Sequence, residues 1–340
     1  MKKIWALDFG RDFATVAAAE ARPDGELRLL GGGQSPAKGL TAGDFDSLGD
    51  ATEAIVAAVR QAERSSGLKC ETLFFNVDDL SLESTYSTGS KALAGEGQIR
   101  PEDVRDAMET ALRMVGRFEK SAVYSCATGF VIDGRDHVLN PVGVFGRQLD
   151  VSMHVLLARA EHREHWQKVI ERSRLKQGIP VLSILSASYG VLNAEEHHRH
   201  VLLWDLGHDY LSAARLREGA LWEALVLKAD GLLVSEVASA VLLHSKKMKQ
   251  NDPAMEEIML TGDWAEKESL VEKISGQWDG TVSVKAPGGV AELASPRQAS
   301  LAGLLRVAAE SHKGPRSSQL GKNLVLGLRQ KAATLINEYF

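Results

Sequence analysis

The chain has 340 residues, 44% of them hydrophobic and 25% charged, with a formal net charge of −5. That length exceeds one simple core and fits two linked lobes, and the composition excludes disorder as a whole-chain state. The acidic balance argues against nucleic acid as a general partner, and no run of eighteen apolar residues offers a membrane span. The two cysteines, Cys70 and Cys126, each lie in an apolar run, which predicts buried thiols in a reducing compartment.

Met1-Lys2-Lys3 leads straight into a short apolar stretch ending at Asp8, too short for a signal peptide and lacking a small-residue cleavage site, so a cytoplasmic chain is expected. Residues 4–30, IWALDFGRDFATVAAAEARPDGELRLL, predict three strands with a turn at Pro23-Asp24-Gly25. A helix follows near 50–66 and a buried strand at Glu71–Val77. A strand near 82–88 comes next. The segment RPEDVRDAMETALRMVG then predicts a helix, because Pro101 suits a first turn and Glu102 and Asp103 suit the positive end of the helix dipole. Strands are expected at 121–132 and 149–158.

Residues 201–227, VLLWDLGHDYLSAARLREGALWEALVL, repeat the opening pattern. Asp8 and Gly10 correspond to Asp205 and Gly207, and Asp12 and Phe13 to Asp209 and Tyr210, with a second turn at Glu218-Gly219. A helix near Gly231–Lys246 and a strand at Ile258–Thr261 follow. Alternating strands and helices place the chain in the α/β class, and the duplicated meander implies two related lobes. A glycine just after a strand-end Asp permits a tight turn whose backbone N–H groups face an anion. Two such turns across a cleft make a phosphate clamp; the plainer alternative is a pair of hairpins with acidic tips.

These residues resemble the actin and sugar-kinase superfamily and, within it, the FtsA family of bacterial cell division proteins. LDFGRDFATVAAAE stands where that family has its first phosphate motif, Leu203–Ala214 where it has the second, and Ile258–Ala265 resembles its adenosine motif. Asn140–Arg147, NPVGVFGR, with the strand LDVSMHVLLA, resembles the stretch closing the FtsA inserted subdomain. Ser183–Asn193 resembles the helix crossing the first lobe, and Pro296–Ala308 the returning helix.

The resemblance implies an α/β, actin-like (RNase H-like) two-lobe fold. It places lobe one at 1–80 and 160–195, an FtsA-type inserted subdomain at 81–159, and a reduced lobe two at 196–310 that lacks most of its own insert. It also implies a peripheral-membrane adaptor at the inner face of the cell membrane, tethering an FtsZ-like or other division partner, with self-association as an option. The alternatives are an active actin-like ATPase using ATP with Mg, or a PilM-like pilus or secretion platform protein.

By the same resemblance the nucleotide-binding positions are Asp8, Gly10, Arg11, Asp12, Asp205, Gly207, His208, Asp209, Gly262, Asp263 and Trp264. Where the family has small hydroxyl or glycine residues, this chain has Arg11, Asp12, His208 and Asp209. A carboxylate repels phosphate, and like charges in contact cost on the order of several kcal/mol without a cation between them. Asp263 and Trp264 crowd the turn that an adenosine approaches; Trp264 is expected either to stack on a base or to be a partly exposed structural residue. A degenerate site follows, with no catalytic residue, no cofactor and no or very weak ATPase activity expected. Asp8, Asp12, Asp205 and Asp209 sharing a hard divalent cation is the other option. Glu161–His165 and His197–His200 lack zinc-site spacing and are expected to form a solvated histidine-rich surface, with no metal.

Residues 311–322 have the composition of a flexible linker. In 323–340 an amphipathic helix is expected, with Leu324, Leu328, Leu335 and Tyr339 on one face, Ile336 and Phe340 widening it, and Arg329 and Lys331 adding base. Such a helix suits a membrane interface; the alternative is docking on the protein's own core.

Overall fold

The computed structural model describes residues 2–22, 25–41, 44–115, 119–138, 140–217, 220–290 and 292–311. The turn residues Pro23, Asp24, Glu218 and Gly219 lie outside the described residues, as do most of the linker and the whole expected membrane helix. In chain order the first strands are β1 (Lys2–Phe9), β2 (Phe13–Ala21), β3 (Leu27–Pro36), β4 (Leu40–Thr41) and β5 (Asp44–Phe45). Helix α1 (Leu48–Ser66) and β6 (Thr72–Val77) follow. Next come β7 (Glu83–Gln98), α2 (Pro101–Val115), β8 (Lys120–Ile132), β9 (Asp136–Val138) and β10 (Phe145–Arg159). The chain continues through α3 (Ala160–Arg172), β11 (Gln177–Leu182) and α4 (Ser183–Val191). Then β12 (His200–Leu206), β13 (Tyr210–Arg217), β14 (Ala220–Lys228), α5 (Val234–Asn251) and β15 (Glu257–Thr261) are formed. The last described elements are α6 (Glu268–Ser275), β16 (Thr281–Val284) and α7 (Ala299–Ser311).

Contacts divide the chain into two units: residues up to Leu80 together with those from His162 onward, and Ser81–Glu161. The larger unit holds two five-stranded sheets of one topology, β3-β2-β1-β6-β11 and β14-β13-β12-β15-β16. In each, an antiparallel meander carries a parallel strand beside its first strand. The correspondence reaches single residues. Asp8 sits opposite Thr15, and Asp205 opposite Ser212. The Asp12 carbonyl accepts from Ala37 N–H and the Asp209 carbonyl from Ala229 N–H, both at 2.8 Å. The sheet carrying β1 and the sheet carrying β12 are lobe one and lobe two below.

The central strands are buried along continuous apolar runs, Ile4–Leu7 and Val201–Trp204, as strands covered on both faces require. Helix α1 begins where Ser47 Oγ accepts Asp50 N–H at 3.2 Å and ends at Gly67 in the left-handed region. Its Ala51, Ala54, Ile55, Ala58 and Ala62 enter the lobe-one core with Leu7, Leu73, Phe75 and Trp166. Helix α4 packs on β12 and β13, while α7 packs on β1, β2 and β6, and the two helices cross. A Cβ at Gly303 would stand 1.6 Å from Ser186 O, so only glycine lets the backbones meet there. Ser186 Oγ and Ser300 Oγ hydrogen-bond at 2.9 Å beside that contact.

Between β14 and β15 the structure has α5 as its one regular element. The helix starts at Val234 rather than Gly231, because Gly231 is in the left-handed region at φ 79° and Glu236 reaches back to Leu233 N–H at 2.7 Å. Among the described residues no helix is long and apolar enough to cross a membrane.

The smaller unit is an antiparallel sheet, β7-β10-β8-β9. Helix α2 packs on β7 and β10, and its Ala107, Met108 and Ala111 share a core with Leu149, Val151, Met153, Val155 and Leu157. Strand β7 runs ten residues past the expected 82–88, since β10 pairs with it to Gln98 even where small residues hide any apolar alternation. The NPVG segment is a turn held to its neighbour: Gly143 N–H donates to Ile99 O at 2.9 Å, and Ile99 N–H to Val144 O at 2.8 Å.

Candidate functional site

The two duplicated turns face one cleft inside the larger unit. Its lining includes Asp8, Gly10 and Arg11 from the β1–β2 turn, Asp205, Gly207, His208 and Asp209 from the β12–β13 turn, and Gly262 and Asp263 after β15. Nine of the eleven sequence-derived positions thus come together. Asp12 and Trp264 do not line the cleft. Asp12 is exposed. Trp264 is 7% exposed and belongs to the lobe-two core with Leu206, Val237 and Leu260: it is a structural residue, as one reading had it, but buried rather than partly exposed and not placed to stack on a base. Lys267 Nζ lies 3.6 Å from the centre of its ring.

Two backbone donors at the β1–β2 turn are already engaged within lobe one. Gly10 N–H donates to Phe13 O at 3.0 Å, and Phe9 N–H to Asn76 Oδ1 at 2.8 Å. Arg11 extends to lobe two, where it donates to Asp209 Oδ1 at 3.2 Å and Asp230 Oδ1 at 2.9 Å. Gly262 is in the left-handed region at φ 87°, and a Cβ there would come 2.6 Å from Asp205 Oδ1 and Leu206 N. Glycine therefore sets how closely the β15 turn approaches β12.

Several lining residues escaped the sequence reading. Asp78, just after β6, accepts from Ser183 Oγ at 2.6 Å and Ser212 Oγ at 3.1 Å. Asn76 Nδ2 donates to Asp8 Oδ1 at 2.6 Å. Arg297 stands 3.7 Å from Asp263 and pairs with Glu266. His162 also lines the cleft; it is buried, and its Nε2 accepts from Trp166 Nε1 at 3.1 Å. His197 is buried against Tyr189, and His200 Nδ1 meets Asp252 at 2.8 Å. The expected solvated histidine surface is thus overturned at these three positions, because each ring fills a packed or hydrogen-bonded place.

Five carboxylates, Asp8, Asp78, Asp205, Asp209 and Asp263, face the cleft against Arg11, Arg297 and two histidines. Burial, then Asp78 and Asp263, push Asp8 up to about 7. Burial, then Asp78 and Asp8, hold Asp205 well above the usual carboxylate range. Asp78 is raised by burial and lowered in part by its two serine hydroxyls. Burial raises Asp209, with Arg11 opposing, and raises Asp263, with His208 and Arg297 opposing. Among the described residues no three His, Cys, Asp or Glu side chains are grouped to hold a metal ion. The cleft volume is about 130 Å³, below the roughly 300–1,000 Å³ of sites that enclose small ligands. Arg11, a cation at this cleft, is already paired with Asp209 and Asp230.

A family model described as the SHS2 domain inserted in FtsA matches residues 80–157. Cell division protein FtsA of Pseudomonas aeruginosa is 24% identical over 241 residues, covering 71% of this chain and 58% of that protein. FtsA of Escherichia coli K12 is likewise 24% identical, covering 70% and 57%. The chain therefore spans less than two thirds of the length of these relatives. Among solved structures, the PilM-PilN type IV pilus biogenesis complex superposes with a TM-score of 0.60 at 15% identity, over 95% of this chain and 97% of that one. That likeness concerns the fold alone.

Proposed function

We propose that this chain, which resembles cell division protein FtsA at 24% identity over about 70% of its length and has an actin-like two-lobe fold, works as a cell division adaptor rather than as a nucleotide-driven machine. The observation that carries the reading is a pairing: the FtsA-type insert is kept, while the cleft between the lobes is lined by five carboxylates. Binding is then the mechanism. The folded body holds a division partner, FtsZ-like in chemistry, and the C-terminal segment holds the inner face of the cell membrane through Leu324, Leu328, Leu335 and Phe340, with Arg329 and Lys331 drawn to anionic lipid.

Deleting residues 320–340 and measuring sedimentation with anionic liposomes tests the tether. The reading expects binding to fall to background; undiminished binding contradicts it. Affinity capture with the full chain separates the division role, in which a tubulin-like division protein is recovered, from a PilM-like platform, in which pilus or secretion components are.

A further inference from the structure

We propose that this chain holds its own cleft shut through side-chain ties between the lobes, so that closure requires no ligand. The inference rests on the reading of a degenerate cleft and adds what takes the ligand's place.

Three ties cross from one lobe to the other. At the mouth, Arg11 of the β1–β2 turn donates to Asp209 and to Asp230 of lobe two, at 3.2 and 2.9 Å. Inside, the Asp78 carboxylate divides its oxygens: Oδ2 takes Ser183 Oγ at the start of α4, and Oδ1 takes Ser212 Oγ on β13. Ser212 is 3% exposed and Asp78 is half-buried, so water competes less for these bonds than at the exposed Arg11. On the far side, Arg306 of α7 donates to Tyr189 O at the end of α4 at 2.8 Å and to Gly288 O at 2.6 Å. The neighbouring Gly289 O accepts Leu27 N–H, so the loop before α7 is joined to β3 of lobe one.

The ties differ in strength. The Arg11 side chain is half exposed, and ion pairs in such positions are weak and screened by salt. The Asp78 bridge is half-buried, with Ser212 buried, and carries more of the closure. Arg11 joins the two turns that a bound phosphate group would join in a ligand-dependent clamp, and the Asp78 bridge joins the end of β6 to β13. Arg11 stands in for the ligand's contact with lobe two, with its charge reversed and met by carboxylates of the same sign as a phosphate.

Amide hydrogen exchange on the full chain, followed at residues 9–13 and 207–212, tests this. In the wild type, Mg-ATP is expected to leave exchange at both turns unchanged. Arg11→Ala and Ser212→Ala are each expected to speed it about two- to fivefold, and the double variant about tenfold or more, with α1 exchange unchanged as the sign of an intact fold. Arg11→Lys is expected to keep most of the protection. Unchanged exchange at both turns in the double variant would overturn the ties. Slower wild-type exchange with Mg-ATP, with the variants still faster than wild type, would leave the ties standing and overturn the degenerate cleft.

Discussion

At the cleft floor, Asp8 is partly open to solvent yet surrounded by protein, and its neighbours include two further carboxylates, Asp78 and Asp263. Its proton leaves at about 7, against 3.8 for an ordinary Asp. Between those values the folded chain keeps a proton that the unfolded chain has lost. Asp8 therefore contributes stability below pH about 4 and loses it as pH rises through 7, by on the order of 4 kcal/mol at most. Asp8→Asn keeps the acceptor for Asn76 and removes the charge, so thermal melts are expected to show a variant several degrees more stable than wild type at pH 8 and similar to it at pH 4. A variant that is less stable at pH 8 would contradict the buried-charge account. Asp8, Asp205 and Asp209 were legible because the repeat marks them. Asp78, Asn76, Ser183 and Arg297 were not: they come from the end of β6, the start of α4 and the segment before α7, and only the sheet order and the α4–α7 packing bring them to one place.

Strand and helix positions followed from periodicity and end signals wherever a buried face imposed them, as in α1, β1 and β12. Strand β7 was only partly legible, since most of its residues are small or exposed and the β10 ladder, not a core face, extends it. The α4–α7 crossing leaves a sharper local signature. Gly303→Ala would drive a Cβ into Ser186 O and is expected to cost about 1–3 kcal/mol or more in urea unfolding. Gly129→Ala, on β8 with nothing within 4 Å of the added Cβ, is the control and is expected to be neutral within about 0.5 kcal/mol. At the start of α1, Ser47→Ala removes the cap to Asp50 N–H and is expected to cost about 1 kcal/mol.

For the whole molecule, the duplicated Asp-apolar-Gly-basic-Asp-aromatic pattern was enough to foresee two lobes of one topology, and the sheet orders match strand for strand. The same pattern overstated the symmetry of the cleft, because Asp209 faces it and Asp12 does not. Twinned turns identify the fold, and on the proposed reading their side chains, paired across the gap, work against a phosphate. Isothermal titration calorimetry of the full chain with ATP and Mg²⁺ at pH 7 tests that claim most directly. The account predicts no saturable heat below millimolar nucleotide, about −4 kcal/mol or weaker in binding free energy; saturation in the micromolar range would contradict it.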